Sequence, residues 1–206
     1  MPLTFLLKGL AVGFAIAAPV GPIGVLCIRR SLADGRLPGL VTGLGAATAD
    51  AAYGCVAGFG LTAVSGLLVR QKFWLGVVGG LFLCWLGGRT LLTKPAEQAA
   101  PSSRAGLLSA YLSTLFLTLT NPMTILSFVA VFAGIGLGAS SNYIDASALV
   151  LGVFAGSAIW WLFLSTGVGW LQSRIGSGWT LAVNRVSGFV ILTFGIYSLF
   201  SIFAKR

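Results

Sequence analysis

Long apolar runs separated by short polar connectors make up most of this chain. Cutting the sequence at its charges and turn residues leaves six apolar runs, at 3–28, 38–69, 73–92, 105–137, 146–171 and 186–204. An α-helix needs ~20 apolar residues to cross the hydrocarbon core of a bilayer, and every run is near or above that length. The pattern therefore predicts an all-α integral membrane protein with six transmembrane helices.

The connectors between these runs are too short to fold separately. We therefore expect residues 1–206 to form a single membrane domain, with any binding site inside the helix bundle. The first apolar run has only Lys8 as a charge near its start and continues to membrane-spanning length. We expect it to be a retained span rather than a cleaved signal peptide.

Composition and charge narrow the possible function classes. Of the residues, 57% are hydrophobic and 8% are charged, whereas a soluble domain carries about 25% charged residues. The net charge is +9, but the basic residues lie singly or in pairs between apolar runs. We expect them to orient the protein in a membrane rather than to bind nucleic acid. The connectors after the first, third and fifth runs, with the adjoining span ends, hold eight of the 13 Lys and Arg residues, which predicts that both termini lie outside the cytoplasm.

Several kinds of intramembrane chemistry lack the residues they need. The chain has no histidine, which is the usual proton shuttle and the commonest metal ligand. An aspartyl enzyme needs two carboxylates, and the predicted spans hold one. Its three cysteines form no CxxC pair and lie in apolar runs, as small buried hydrophobic residues do. We expect neither an enzyme nor a bound cofactor or metal ion.

The two halves of the chain resemble each other weakly. Residues 18–28 align with 118–128 at an offset of 100, and 80–92 align with 188–200 at an offset of 108. The order of these matches and their nearly constant offset indicate a duplication of three spans.

A duplication of three spans has a consequence for topology. Because three is an odd number, the second half must enter the membrane from the opposite side. The sequence thus predicts repeat 1 at 1–93, a connector at 94–104 and repeat 2 at 105–206. Inverted repeats are typical of secondary transporters, which bind substrate near the midplane between the halves.

Prolines and glycines interrupt the first apolar run. Pro19 and Pro22 supply no amide hydrogen, and each frees a carbonyl about four residues earlier. Gly21 and Gly24 leave the backbone uncovered at the same depth. A freed backbone group in lipid costs several kcal/mol unless it is buried in protein or lines a cavity. A single proline would indicate only a packing kink, but this combination predicts a broken helix at a binding site.

The fourth run contains a matching interruption. Asn121 and Pro122 lie in the segment that aligns with the first break, and Pro22 falls directly over Pro122. The sequence therefore predicts broken first and fourth helices. Helix starts after both breaks would offer unpaired amides to the carboxylate of a substrate.

Asp50 is the only acid inside a predicted span. It lies about 5 Å from the centre of the second run at 1.5 Å per residue. A charged carboxyl at that depth is expensive and usually faces a cavity or a partner. Tyr53 shares its helix face and could hydrogen-bond it. Trp160 lies in the equivalent region of the fifth run, where it either packs in the core or lines a substrate path.

Several stretches resemble one known family over nearly the whole chain. "APVGPIGVLCIRRSLADG", "GLGAATADAAYG", "GGLFLCWLGGRTLL", "TNPMTILSF" and "VSGFVILTFGIYSL" together resemble the LysE/RhtB family of bacterial amino-acid exporters. Many members have Pro, Gly and Pro adjacent, whereas Val20 separates Pro19 from Gly21 here. The resemblance implies proton-driven efflux of amino acids across the inner membrane, often by homodimers.

Residues and resemblance together predict a proton-coupled amino-acid exporter in which Asp50 exchanges the proton. The predicted substrate-binding residues are Pro19, Gly21, Pro22, Gly24, Asp50, Tyr53, Asn121, Pro122 and Trp160. One alternative is a divalent metal-cation exporter of a related family, which would want several intramembrane ligands. A membrane thiol-electron carrier is another, although Cys27 aligns with Ser127 rather than with a second cysteine.

Overall fold

The computed structural model describes residues 2–19, 21–59, 67, 70–92, 103–135, 142–172 and 177–204. Within these ranges the chain forms eight helices and no strand. They are α1 Pro2–Ala17, α2 Pro22–Ala33, α3 Arg36–Gly58, α4 Lys72–Leu92, α5 Arg104–Thr120, α6 Pro122–Ile135, α7 Tyr143–Gln172 and α8 Ser177–Ala204. Val20, the end of the second apolar run and most of the connector at 94–104 lie outside the described residues.

The helices fit the expected number of membrane spans. Four of them are individually long and apolar enough to cross a bilayer, namely α3, α4, α7 and α8. The pairs α1 with α2 and α5 with α6 bend by 80° and 60°, and counting each pair as one span gives six. α2 begins at Pro22 and α6 begins at Pro122, so both helices break where the sequence predicts.

Helix ends differ from the predicted limits where polar residues are helical. α2 continues to Ala33, so Arg29 and Arg30 lie in a helix rather than in the connector that hydropathy predicts. α8 begins at Ser177, well before the start of the sixth apolar run. Polar side chains in these helical extensions form hydrogen bonds inside the protein. For example, Arg29 Nε on α2 donates to Asn184 Oδ1 on α8 at 3.0 Å. Hydropathy alone cannot register such a partner.

Glycines allow the closest helix contacts. On α1, Gly9 and Gly13 lie against the α7 backbone at Leu149 and Val153, and a Cβ on Gly13 would overlap the Val153 carbonyl. Residue numbers rise together along this contact, so α1 and α7 run parallel. The glycine content of the sequence is thus used for close helix packing.

α3 lies between α5 and α7 and brings the two halves of the chain together. Gly54 lies beside the side chain of Val153, and Gly58 lies beside the side chain of Leu149. Residue numbers therefore rise along α3 as they fall along α7, and the two helices are antiparallel. The acid in the middle of α3 consequently faces a helix from the second half.

Two buried apolar clusters lie on either side of that acid. One contains Ala17 and Ile23 beside the first break, together with Ala47 and Trp161. The other surrounds Tyr53 and includes Ile125, Phe128 and Val153. Large apolar side chains are also exposed around the bundle, as expected of a surface in contact with lipid.

Candidate functional site

The first break, between α1 and α2, has an open helix start. Ala18 N donates to Phe14 O at 2.9 Å, which extends the bonding of α1 by one residue. Gly21 is the N-cap of α2 and has no side chain to accept a bond from the first amides. The first bond across that turn joins Val25 N to Gly21 O at 3.0 Å. The helix start therefore lacks the side-chain cap that usually closes it.

The other predicted residues of the first break differ in exposure. Pro19 is exposed and Pro22 is half-buried, whereas Gly24 is buried within α2. A Cβ added at Gly21 would meet nothing within 4 Å. The backbone is thus uncovered on one side of the break and packed on the other.

The second break, between α5 and α6, is closed by Asn121. Its side-chain Oδ1 accepts a hydrogen bond from Met123 N at 3.0 Å. Its own amide donates to Thr118 O at 3.2 Å, and its carbonyl accepts from Ile125 N at 3.2 Å. Asn121 thereby caps α6 in the way that asparagine commonly starts a helix.

Tyr53 completes the closure of the second break. Its hydroxyl donates to Leu119 O at 2.7 Å. In an unbroken helix that carbonyl would accept from Met123, whose amide donates to Asn121 instead. The Tyr53 ring also packs on Phe128 with centroids 5.4 Å apart. The predicted bond to Asp50 is not formed, because the Tyr53 hydroxyl reaches a carbonyl on α5.

Asp50 is buried between α3 and α7, and its side chain is 3% exposed. Its Oδ2 accepts a hydrogen bond from Ser157 Oγ at 2.7 Å. Ser157 Oγ in turn accepts from Trp161 Nε1 at 3.1 Å. In the part of the chain that the structure describes, no Lys or Arg forms an ion pair with this carboxyl.

Of the two neighbouring tryptophans on α7, the structure connects Trp161 to Asp50. The Trp160 ring lies edge-on to Phe14 in the last turn of α1, with centroids 5.4 Å apart. Trp160 is therefore beside the first break, while Trp161 belongs to the hydrogen-bond network of Asp50. The predicted site residues thus fall into two groups, one at each break, with Asp50 between the clusters.

Sequence reasoning missed Ser157, Trp161 and Arg30. Ser157 and Trp161 are four residues apart, which is the spacing of side chains on one helix face. That spacing was a signal that could have identified them. Arg30 resembles an ordinary connector charge in the sequence, yet it is only 9% exposed.

The two rival hypotheses each require a particular set of side chains, clustered ligands for a metal exporter and facing cysteines for a thiol carrier. Among the described residues, no group of three or more His, Cys, Asp and Glu side chains could hold a metal ion. All three cysteines are free thiols. Cys27 is fully buried, and its thiol donates to Gly39 O at 3.4 Å.

Comparisons with known proteins identify one family and two relatives of this chain. The family described as LysE type translocator matches residues 14–201. A Bacillus subtilis (strain 168) protein named "Putative amino acid efflux protein YcgF" is 24% identical over 196 residues, which is 93% of each chain. "Uncharacterized membrane protein YahN" of Escherichia coli (strain K12) is 29% identical over 140 residues, covering 66% of this chain and 62% of that protein. No solved structure matches the chain.

Proposed function

Because the chain belongs to the LysE type translocator family, we propose that it exports amino acids across the bacterial inner membrane in exchange for protons. It is a multi-pass membrane protein, and the relative in Bacillus subtilis is named for amino acid efflux. In this proposal the protein moves its substrate without converting it chemically. The basic connectors lie in the cytoplasm, so both termini lie outside.

The observation that carries the proposal is the burial of Asp50 without a cation. Placing a carboxyl inside a membrane costs free energy, so such a residue is first considered as part of a functional site. Asp50 receives a hydrogen bond from Ser157 at 2.7 Å, which positions one carboxyl oxygen while the other remains available for a proton or a substrate ammonium group. With no histidine in the sequence, Asp50 is the group best placed to carry the coupled proton.

The substrate carboxylate would bind at the first break. Ala17 and Ile23 flank that break and share one buried cluster with Ala47 and Trp161, which flank Asp50. The uncapped amides at the start of α2 and the positive end of its dipole favour a carboxylate. An amino acid carries a carboxylate and an ammonium group close together, which suits an open helix start beside an acid.

In the transport cycle, protonation of Asp50 from outside would weaken its hold on the ammonium group and release the amino acid. Loss of that proton to the cytoplasm would prepare the site for the next substrate molecule. The scheme needs alternate access from the two sides, which secondary transporters obtain by moving one repeat against the other.

An inverted-repeat architecture is part of the proposal. Gly80 contacts Gly195, and Gly87 contacts Gly188, where α4 crosses α8. The repeat alignment pairs Gly80 with Gly188 and Gly87 with Gly195, so each contact maps onto the other when the halves are exchanged. A twofold relation between the halves would produce such paired contacts.

Transport by purified protein in proteoliposomes tests the role of Asp50. After the best substrate is found in a panel of L-amino acids, Asp50→Asn should abolish transport driven by a pH gradient. Asp34→Asn is the matched control, because Asp34 is an exposed acid at the end of α2. Full proton-driven transport by Asp50→Asn would refute the coupling role, and no transport of any amino acid by the unaltered protein would refute the substrate class.

A further inference from the structure

Arg30 joins three helices inside the bundle. It lies in the last turn of α2, and its guanidinium donates four hydrogen bonds to α3 and α5. Nη1 shares its two hydrogens among three acceptors, Thr42 Oγ1 at 2.9 Å, Ala110 O at 3.0 Å and Thr114 Oγ1 at 3.1 Å, and Nη2 donates to Ser113 Oγ at 2.9 Å.

The acceptors are oriented to receive these bonds. The Thr42 hydroxyl donates to Pro38 O at 2.7 Å, and the Ser113 and Thr114 hydroxyls donate to Ala110 O at 3.1 and 3.0 Å. Each hydroxyl proton is thus used within its own helix, and the oxygen lone pairs face Arg30. All four acceptors are neutral, so the buried cation is held by dipoles rather than by a carboxylate.

Arg30 ties the first half of the protein to the second at the end of the bundle where α2 ends. Arg30 and Thr42 belong to the first half, whereas the acceptors on α5 belong to the second. When the offset of 100 is continued two residues beyond the aligned segment, Arg30 falls over Ala130, which has no polar side chain. The C-terminus of α2 is therefore held by the hydrogen bonds of Arg30. The equivalent position in the second half has no side chain that could make such bonds.

The position of α2 makes the hydrogen bonds of Arg30 relevant to transport. α2 has only 12 residues, and it begins at the first break, where the substrate carboxylate is proposed to bind. A short helix that is severed from α1 by a break can move only if the bonds at its other end release. Most of those bonds are made by Arg30, and the neighbouring Arg29 adds one from its Nε to Asn184 Oδ1 on α8 at 3.0 Å.

We propose that Arg30 is the positioning residue that closes the α2 end of the transporter. Its bonds hold α2 against α3 and α5 in the described conformation, and they break when this end opens to admit substrate from the cytoplasm. This inference rests on the proposed function, since it assigns Arg30 to one step of the alternating-access cycle.

Cys27 provides a native reporter of that opening. It lies one turn before Arg30 on α2, is fully buried, and points its thiol at Gly39 O on α3. Movement of α2 away from α3 would expose this thiol to a small maleimide. Replacing Cys55 and Cys84 by serine leaves Cys27 as the only thiol, because the chain has three cysteines.

The first measurement is the rate at which Cys27 is labelled in proteoliposomes without substrate. We expect Arg30→Met to raise this rate about tenfold, because several charge-assisted bonds that favour the closed state are lost. Arg36→Met is the matched control, since Arg36 is an exposed arginine at the same end whose Nη2 donates to Thr166 Oγ1 at 2.9 Å. Its labelling rate should equal that of the parent protein.

Thr114→Val serves if Arg30→Met does not accumulate in the membrane. It removes one acceptor at nearly constant shape and leaves the cation in place, so we expect a smaller rise of about threefold. Unchanged labelling in the variants that can be purified would overturn the inference. Labelling of Cys27 requires no transport. It can therefore show whether Arg30 closes the α2 end even if the proposed function is wrong.

Transport kinetics distinguish a closing residue from a merely structural one. If Arg30 favours the closed state, Arg30→Met should populate the substrate-accepting state more often. The half-saturating cytoplasmic amino-acid concentration should then fall about threefold while the maximal rate also falls. A lower maximal rate with unchanged half-saturation would mean only that less protein is folded, and that result would also overturn the inference.

Discussion

The two broken helices differ in how they use the same backbone defect. At the second break, Asn121 caps the new helix and Tyr53 takes up a released carbonyl, so the interruption is closed by the protein itself. At the first break, Gly21 offers no side chain and the start of α2 stays uncapped. A proline break is therefore not yet a binding site. What matters is whether neighbouring side chains already occupy the groups that the break releases.

Among changes at the two breaks, we expect the greatest loss of substrate affinity when the first break is made to resemble the second. In Gly21→Asn, the new side chain would cap α2 and compete with the substrate carboxylate for the same amides. The change is sterically tolerated, since a Cβ at Gly21 meets nothing within 4 Å. We expect the substrate concentration at half-maximal transport to rise on the order of thirtyfold.

Gly21→Ala is the control for that substitution, because it adds the Cβ without an acceptor oxygen. Its half-saturating concentration should stay close to that of the parent protein. Equal losses in the alanine and asparagine variants would point to steric disturbance. Unchanged transport in Gly21→Asn would show that the amides of α2 do not bind the substrate.

A second test opens the closure at the second break from the α3 side. Tyr53→Phe removes the hydroxyl that bonds to Leu119 O and leaves a buried carbonyl unpaired. We expect the free energy of unfolding in detergent to fall by about 1–2 kcal/mol. Tyr111→Phe is the comparison, because its hydroxyl bonds at 2.9 Å to the side chain of Thr48 rather than to a backbone carbonyl. Equal stability losses would argue against a special role for Tyr53.

Asn121→Ala probes the same closure from within the break. Loss of the cap on Met123 should cost about 1 kcal/mol of stability, the usual cost of losing an N-cap side chain. Because the Asn121 side chain is already bonded to the backbone, the substrate concentration at half-maximal transport should change by less than about twofold. A large rise in the half-saturating substrate concentration with unaltered thermal stability would support the prediction from the sequence that Asn121 binds the substrate.

A smaller change in transport than that of Gly21→Asn should come from Trp160, whose ring packs on Phe14 beside the first break. Trp160→Phe keeps an aromatic ring, and we expect half-saturation to rise about threefold, consistent with a modest loss of aromatic contact. Trp161→Phe would instead remove the indole donor to Ser157 and disturb the hydrogen bonding of Asp50. If the Trp160 variant had the larger effect on proton-driven transport, Trp160 rather than Trp161 would be the ring that acts on Asp50.

Much of the fold could be predicted because it follows from local properties of the chain. The two breaks begin their second helices at Pro22 and Pro122, as expected from a residue that supplies no amide hydrogen. The helix ends were harder to place. Arg30 and Asn184 are polar and helical, and both bond inside the bundle, which hydropathy cannot register.

The candidate site could be predicted only in part. Asp50 stands out in the sequence because it is an acid in an apolar run, but its partner Ser157 is 107 positions away. Tyr53 shares a helix face with Asp50, yet its hydroxyl is long enough to reach α5, and the carbonyl available there decided its bond. The choice among acceptors depends on which helices pack together, and local periodicity does not specify that.

Hydropathy and residue type were enough to predict that the chain spans a membrane several times, where two of its helices break, and that Asp50 lies near the middle of a span. These features follow from hydrophobicity, from the missing proline amide and from the cost of burying a charge. That one break is closed and the other open, and that Arg30 fastens α2 to α5 across 80 or more positions, follows from the packing of the helices. Hydrogen bonds of that kind need partners brought together in space, so they exist only once the bundle is assembled.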